Sequence, residues 1–302
     1  MSSYQTETAR SSAQLINHNF VRKLDTGREK EAMAEGSAFI RKKLRQESFF
    51  REILPPQKLS DDEINVDENT DLPKKIVEIE PDSHATFVPF KGTGRRTWFK
   101  GPRYSVYFGK IESQHFTKSK FELMTYQNDI RKILTDNSVK DMADQEDERG
   151  YETLDAIAGK FPNQVLTPSG GLTASNVVEG FKNLISRKIP LGKILCTEEL
   201  YMDALKLPAT SVGDRVASRH YDEGLTGEKT LWGHPVVTTI KNDILPNDEM
   251  WIFGPQNYLG NFFLLQDATL YIEQRADMIE FWTYSAPGIG IGNTSAVTKI
   301  KF

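Results

Sequence analysis

From Asp61 to Asp82 nine acidic residues stand against two lysines, and from Phe87 to Lys120 eight basic residues stand against one acid, Glu112. Blocks of like charge stay in water or meet opposite charge. The two segments therefore pair with each other within the chain or across copies of it. The basic block also carries Phe87, Phe90, Trp98, Phe99, Tyr104, Tyr107 and Phe108, punctuated by Gly92, Gly94, Gly101-Pro102 and Gly109. Such a run reads as β-rich hairpins with a glycine-rich tip that reaches away from the body. Basic and aromatic composition also describes a single-stranded nucleic-acid platform, but a protruding loop fits the glycine spacing better than a groove.

The chain has 302 residues, enough for one large domain or two ordinary ones with a substantial core. Its formal net charge of -4 does not advertise nucleic-acid binding by the chain as a whole. Cys196 is the one cysteine, so no internal disulfide forms. The start, Met1-Ser2-Ser3-Tyr4-Gln5, has neither the basic nor the apolar part of a secretory signal. No apolar run approaches the ~20 residues of a membrane span. An aqueous, cytoplasm-like setting is the expectation.

Along the chain, residues 1–27 are polar with little period and are expected as an extended or partly disordered arm. Residues 28–54 read as a helix with a stripe of Met33, Ile40, Leu44, Phe50, Ile53 and Leu54, ended by Pro55-Pro56. The basic face Arg41, Lys42, Lys43 and Arg45 is expected in solvent or at a subunit contact. Ile76 to Ile79 suggests a short strand. Residues 122–158 read as one long helix striped by Tyr126, Ile130, Ile133, Leu134, Met142, Leu154 and Ile157, with a bend at Gly150. Thr173 or Ser175 caps a helix to about Ser186, with Val177, Val178, Phe181, Leu184 and Ile185 inward. A strand at Lys193 to Cys196 and a helix from Glu198 to Leu205 follow. The end is β-rich, with strands at 235–240, 250–253, 262–265, 269–274 and 296–302.

Candidate chemistry is sparse. His18, His84, His115, His220 and His234 never stand three or four apart, and no Cys-x-x-Cys occurs, so no zinc site is expected. Cys196 ends an apolar strand and reads as a core thiol. Gly288-Ile289-Gly290-Ile291-Gly292 lacks the strand–turn–helix context of a phosphate cradle and reads as a flexible turn. Glu198-Glu199 and Asp222-Glu223 are adjacent carboxylates of the kind found on surfaces. No catalytic site and no cofactor are expected, and the chain is not expected to be an enzyme.

The order of pieces is an arm, a basic hairpin loop, a long helix, an α/β part and a β-rich tail. With Leu231-Trp232-Gly233-His234-Pro235-Val236-Val237, the long β-stretch Leu264 to Ile272, the charged turn Glu273-Gln274-Arg275-Ala276-Asp277 and the terminal strand from Ala296 to Ile300, the chain resembles the Hong Kong 97-type major capsid proteins of tailed bacteriophages over roughly residues 75–302. The resemblance implies an α+β fold with an N-terminal arm over 1–82 and an extended loop over 83–120. It implies a peripheral domain with a spine helix over 121–160 and 261–302, and an axial domain over 161–260. It implies a shell of hexamers and pentamers around double-stranded DNA, in a virion capsid assembled in the host cytoplasm. A separate scaffolding protein is expected because the chain begins at Met1. A portal at one vertex, a decoration protein and weak contact with genomic DNA go with the same picture, and a membrane does not. Intersubunit contacts are expected from Ile40, Leu44 and Phe50 in the arm and from Arg95, Arg96, Trp98 and Lys100 in the loop. The acidic 61–82 and basic 87–120 segments are expected to meet across subunits. No asparagine lies in the turn that matches the family's Lys–Asn crosslink. An encapsulin-like nanocompartment shell of the same fold is the alternative, and a soluble α/β enzyme a third.

Overall fold

The computed structural model describes residues 2–79, 85–94, 101–125, 129–207 and 229–302, with backbone only for 2–11. The N-terminal stretch is helical rather than extended: α1 (Ser2–Asp25), α2 (Glu29–Glu47) and α3 (Phe49–Ile53) follow one another. The second half of α1 carries Ile16, Phe20, Val21 and Leu24, a helical spacing that turns Val21 and Leu24 into the core. Asn17 is buried on the same side. It donates to the Leu123 carbonyl at 3.0 Å and accepts from the Ile130 N–H at 2.8 Å, joining α4 (Lys120–Thr125) to α5 (Ile130–Leu134).

The long helix starts later than its apolar stripe suggested. From Ile130 it runs through α5 and a π-turn, Thr135–Val139, into α6 (Lys140–Lys160). α6 is ~30 Å long at 1.5 Å per residue. Its first half, with Met142 and Ala143, joins one apolar core, and its second half, with Leu154 and Ala158, joins another. Gly150 lies inside an unbroken helix. A Cβ there would stand 2.3 Å from Phe50 Cδ2, so the glycine is the seat of the Phe50 ring.

Two sheets carry the cores. In the first, β1 (Pro56–Lys58) runs parallel to β12 (Asn261–Arg275), and β12 pairs with the antiparallel β13 (Met278–Gly290). β5 (Ile111–Glu112) and β6 (Phe116–Ser119) pair with the far side of β13. The two runs expected at 262–265 and 269–274 are one strand, irregular about Gln266, where the register shifts. Gly288 and Gly290, expected in a flexible turn, belong to β13 and lie under Phe108 and Val106. α1, α2, α4 and α5 cover the inner face of this sheet, and Ile40, Leu44, Leu270, Ile272, Ile279 and Phe281 are buried between them.

The second sheet has the order β7 (Val165–Leu166), β14 (Val297–Lys301), β11 (Glu249–Phe253), β8 (Ile194–Thr197), β10 (His234–Thr239), β9 (Thr230–Leu231). The terminal strand β14 therefore lies in this six-stranded sheet and not with β12 and β13, because Val297 and Ile300 complete the core around Trp251. α7 (Ala174–Ser186) starts at Thr173, whose side chain accepts from the Asn176 N–H. Val177, Phe181 and Leu184 pack inward, whereas Val178 and Ile185, expected inside, are exposed. α8 (Glu198–Leu205) spans the expected residues.

The third sheet is small: β2 (Asn65–Val66), β3 (Pro73–Glu78) and β4 (Arg103–Tyr107). β3 and β4 form a hairpin whose arms are in register from Lys74↔Tyr107 to Glu78↔Arg103. β3 lies before residue 83, where the loop is expected to begin, and is the strand that satisfies the backbone of β4.

Candidate assembly surfaces

Ser48 breaks the first helical stripe in two. It ends α2 and caps α3, accepting from the Arg51 N–H at 3.3 Å and donating to Asp147 Oδ1 at 2.8 Å. The turn swings Phe50 against Gly150 and sends Arg51 inward. Arg51 donates through Nε and Nη2 to the two Glu146 oxygens at 2.6 and 2.7 Å. Asp267, aimed inward at the irregular point of β12, lies 3.7 Å from Arg51 and 3.5 Å from Arg41. Lys241 reaches Asp147 at 2.5 Å and Asp144 at 2.8 Å. Burial nonetheless leaves the Asp147 carboxyl above the ordinary aspartate range, since desolvation outweighs Lys241, Phe50 N–H and Ser48. This cluster joins α2, α3, α6, β12 and the segment after β10.

Ile40, Leu44 and Phe50, expected to touch neighbouring subunits, are wholly buried within this chain. Their stripe is narrow because the sheet of β12 and β13 covers it from the same molecule. The basic face of α2 is partly internal as well, since Arg41 donates to the Ala268 carbonyl at 2.8 Å.

The hairpin differs. Its arms alternate, with Val106 buried and Tyr107 exposed. At residues 85–94 the Phe87 and Phe90 side chains are open on every side, at 102% and 110% exposure. Arg95, Arg96, Trp98 and Lys100 lie outside the described residues. The two charged segments meet at the hairpin within one chain through Arg103, which pairs with Glu78 at 2.6 Å, while Lys74 with Asp67 at 2.6 Å and Lys75 with Glu63 at 2.9 Å pair inside the acidic segment itself. For Arg103 and Glu78 the expected match across subunits is corrected, because β3 and β4 are already hydrogen-bonded neighbours.

The hairpin's root is bolted to β13. Gly109 N–H donates to the Pro287 carbonyl at 3.1 Å, and Ser113 N–H to the Thr283 carbonyl at 2.8 Å. The outer face of β13 carries a ladder of rings: His115 on Trp282, Trp282 on Tyr271 and Tyr271 on Tyr284, with centroids 4.8, 5.7 and 5.1 Å apart. Lys110 Nζ stands 5.0 Å over the Tyr284 ring at the other end. Sequence reasoning did not find β13. Its signal was the alternation of Ile279, Phe281 and Thr283 inward with Glu280, Trp282 and Tyr284 outward.

Cys196 lies in β8, and burial pushes its thiol up to about 12, so it holds no thiolate at neutral pH. Among the described residues no group of three His, Cys, Asp or Glu side chains could hold a metal ion, and no helix is long and apolar enough to cross a membrane.

No protein-family model matches the chain, and no curated protein matches it. Solved structures do. The crystal structure of a virus-like particle from Pyrococcus furiosus superposes with a TM-score of 0.56 at 13% identity, over 90% of this chain and 100% of that one. A structure of Microbacterium phage Oxtober96 gives 0.58 at 10% identity over 84% and 90% of the two chains. The capsid structure of the cyanophage P-SCSP1u gives 0.54 at 9% identity over 76% and 83%. At these identities the likeness is one of fold, and the chain has the mixed α/β fold shared by phage capsid and virus-like particle structures.

Proposed function

We propose that this chain is a structural shell subunit that self-assembles into a closed icosahedral particle of hexamers and pentamers around a double-stranded DNA genome. The observation that carries the proposal is the hairpin tip. Phe87 and Phe90 are fully exposed in the segment between β3 and β4. Burying a phenylalanine is worth about 1.5–3 kcal/mol, and none of the described residues covers these two where they stand.

In the Hong Kong 97-type layout the β3–β4 hairpin is the extended loop and α6 the spine helix. The sheet of β12 and β13 is the peripheral platform and the six-stranded sheet the axial domain. The N-terminal arm, through α1, α2 and α3, is folded home as helices. Such a subunit sits in a virion capsid and has no catalytic task. It works with a scaffolding protein, a portal at one vertex and in some particles a decoration protein, and it is made in the host cytoplasm.

An encapsulin-like compartment is the second reading, favoured by the match that spans the whole of the Pyrococcus furiosus chain. Electron microscopy of particles from the native source, followed by nuclease treatment and assay of their contents, separates the two. Nuclease-protected DNA with a tail at one vertex supports the first, and tailless particles filled with protein support the second. A small oligomer by light scattering, with no particle found, overturns both.

A further inference from the structure

His115 lies in the turn between β5 and β6, and its ring is stacked on Trp282 at 4.8 Å with 5° between the planes. Both of its nitrogens face carboxylates. Nδ1 is 2.8 Å from Glu280 Oε1 on β13, and Nε2 is 3.4 Å from Glu112 Oε1 on β5. A neutral imidazole has one N–H and one lone pair, and only the imidazolium can donate from both nitrogens. The neutral ring must therefore turn a lone pair toward one carboxylate, and the longer Glu112 contact is the weaker of the two. The Trp282 face also favours a cationic partner. The other charges around the site are Lys110, 2.8 Å from Glu112, and Arg275, 3.0 Å from Glu273. Lys118 is the charged residue of β6.

We propose that His115 is a proton-operated clasp: as imidazolium it ties Glu112 of β5 to Glu280 of β13, and as neutral imidazole it lets go of Glu112, so that the anchoring of the β5–β6 turn on β13 answers to pH. The claim concerns the single chain and does not depend on what the chain assembles into. The Glu280 hydrogen bond holds the His115 pKa above the ordinary histidine value, against a smaller opposing effect of desolvation and with help from Glu112. A raised folded-state pKa gives stabilisation that is whole below about 6.5 and is lost as pH rises through the higher folded value. The clasp is thus closed in mild acid and open in mild alkali.

The test uses the full-length chain. Histidine ring resonances are followed by NMR, and amide hydrogen exchange of residues 111–119 is measured from pH 5.5 to 8.5 with intrinsic rates divided out. His115 should titrate above about 6.5. Protection of the segment should fall about two- to fivefold across that titration, the scale of one half-exposed ion pair. His115→Phe keeps a ring on Trp282 and should give a pH-independent profile. Glu112→Gln, a change at a surface carboxylate, should lower the midpoint while leaving the far-ultraviolet circular dichroism unchanged. A midpoint at or below about 6.5, a flat wild-type profile, or the same pH dependence in His115→Phe would each overturn the clasp.

Discussion

Trp232 has φ 48° and Gly233 φ 83° in the two-residue turn between β9 and β10, where Leu231 pairs with His234. Positive φ at both central positions is the type I′ condition, which favours Asn-Gly. A tryptophan there bears about 1–2 kcal/mol of backbone strain. Its ring stands edge-on to Phe181 at 5.7 Å, an aromatic pair worth about 0.5–1.5 kcal/mol beyond its buried area. The turn was legible in the sequence, but its reason was not, since Phe181 is fifty positions away. Gly150 shows the same limit: a glycine in a helical stripe signals a bend, and only the fold reveals Phe50 lying on it. Gly150→Ala gains about 1 kcal/mol of helix propensity and loses about 1–3 to overpacking. It should lower the urea midpoint, and Phe50→Leu in that background should recover part of the loss. Arg51→Met leaves Glu146 charged and buried, and should destabilise by about 3–5 kcal/mol. Replacing both, Arg51→Met with Glu146→Leu, should lose far less by the same denaturation assay.

Elements with a strong local period were read near their true bounds: α7, α8, β8, β10 and β11. Those that depend on a partner were not. β13 was hidden because Glu280, Trp282 and Tyr284 face outward and leave a weak alternation, with Pro287 and two glycines at its end. α1 was hidden because its first half is polar and its buried residues crowd the second half. The consequence is largest for the N-terminal helices, which looked like an arm for a neighbour and are instead part of this molecule's interior. Deleting residues 1–56 strips Ile40, Leu44, Phe50 and Leu54 from the two cores and removes the first residue of β1. Each large apolar side chain lost from such a place is worth about 2–5 kcal/mol, more together than the 5–15 kcal/mol a domain commands. The truncated chain should melt without a cooperative transition and bind hydrophobic dyes. A sharp calorimetric melt would show that the helices are dispensable.

At the scale of the molecule, α6 ties two cores into one body, and the hairpin is the part left unsatisfied. Of the seven contact residues expected from sequence, the three in the N-terminal arm proved internal, while exposed Phe87 and Phe90 were not among the seven because a loop's burial has no period to read. If that tip is where copies meet, Phe87→Ser with Phe90→Ser should leave the free chain's circular dichroism and stability within about 0.5 kcal/mol of the parent. Particle yield should fall by about an order of magnitude or more, given about 1.5–3 kcal/mol per buried ring repeated at every subunit. Particles formed in normal yield would place the contact elsewhere.

The order of the six-stranded sheet has a further consequence, for the timing of synthesis. β14, last in the chain, lies between β7 and β11, which have no other bond to each other in the sheet. At about 5–20 residues per second, β7 waits on the order of ten seconds after translation for the strand that covers its edge. A ribosome that stalls before Val297 releases a chain with two open edges and a gap beside Trp251. Its exposed backbone invites aggregation or proteolysis, so the sheet itself screens unfinished copies out of the supply of folded chains.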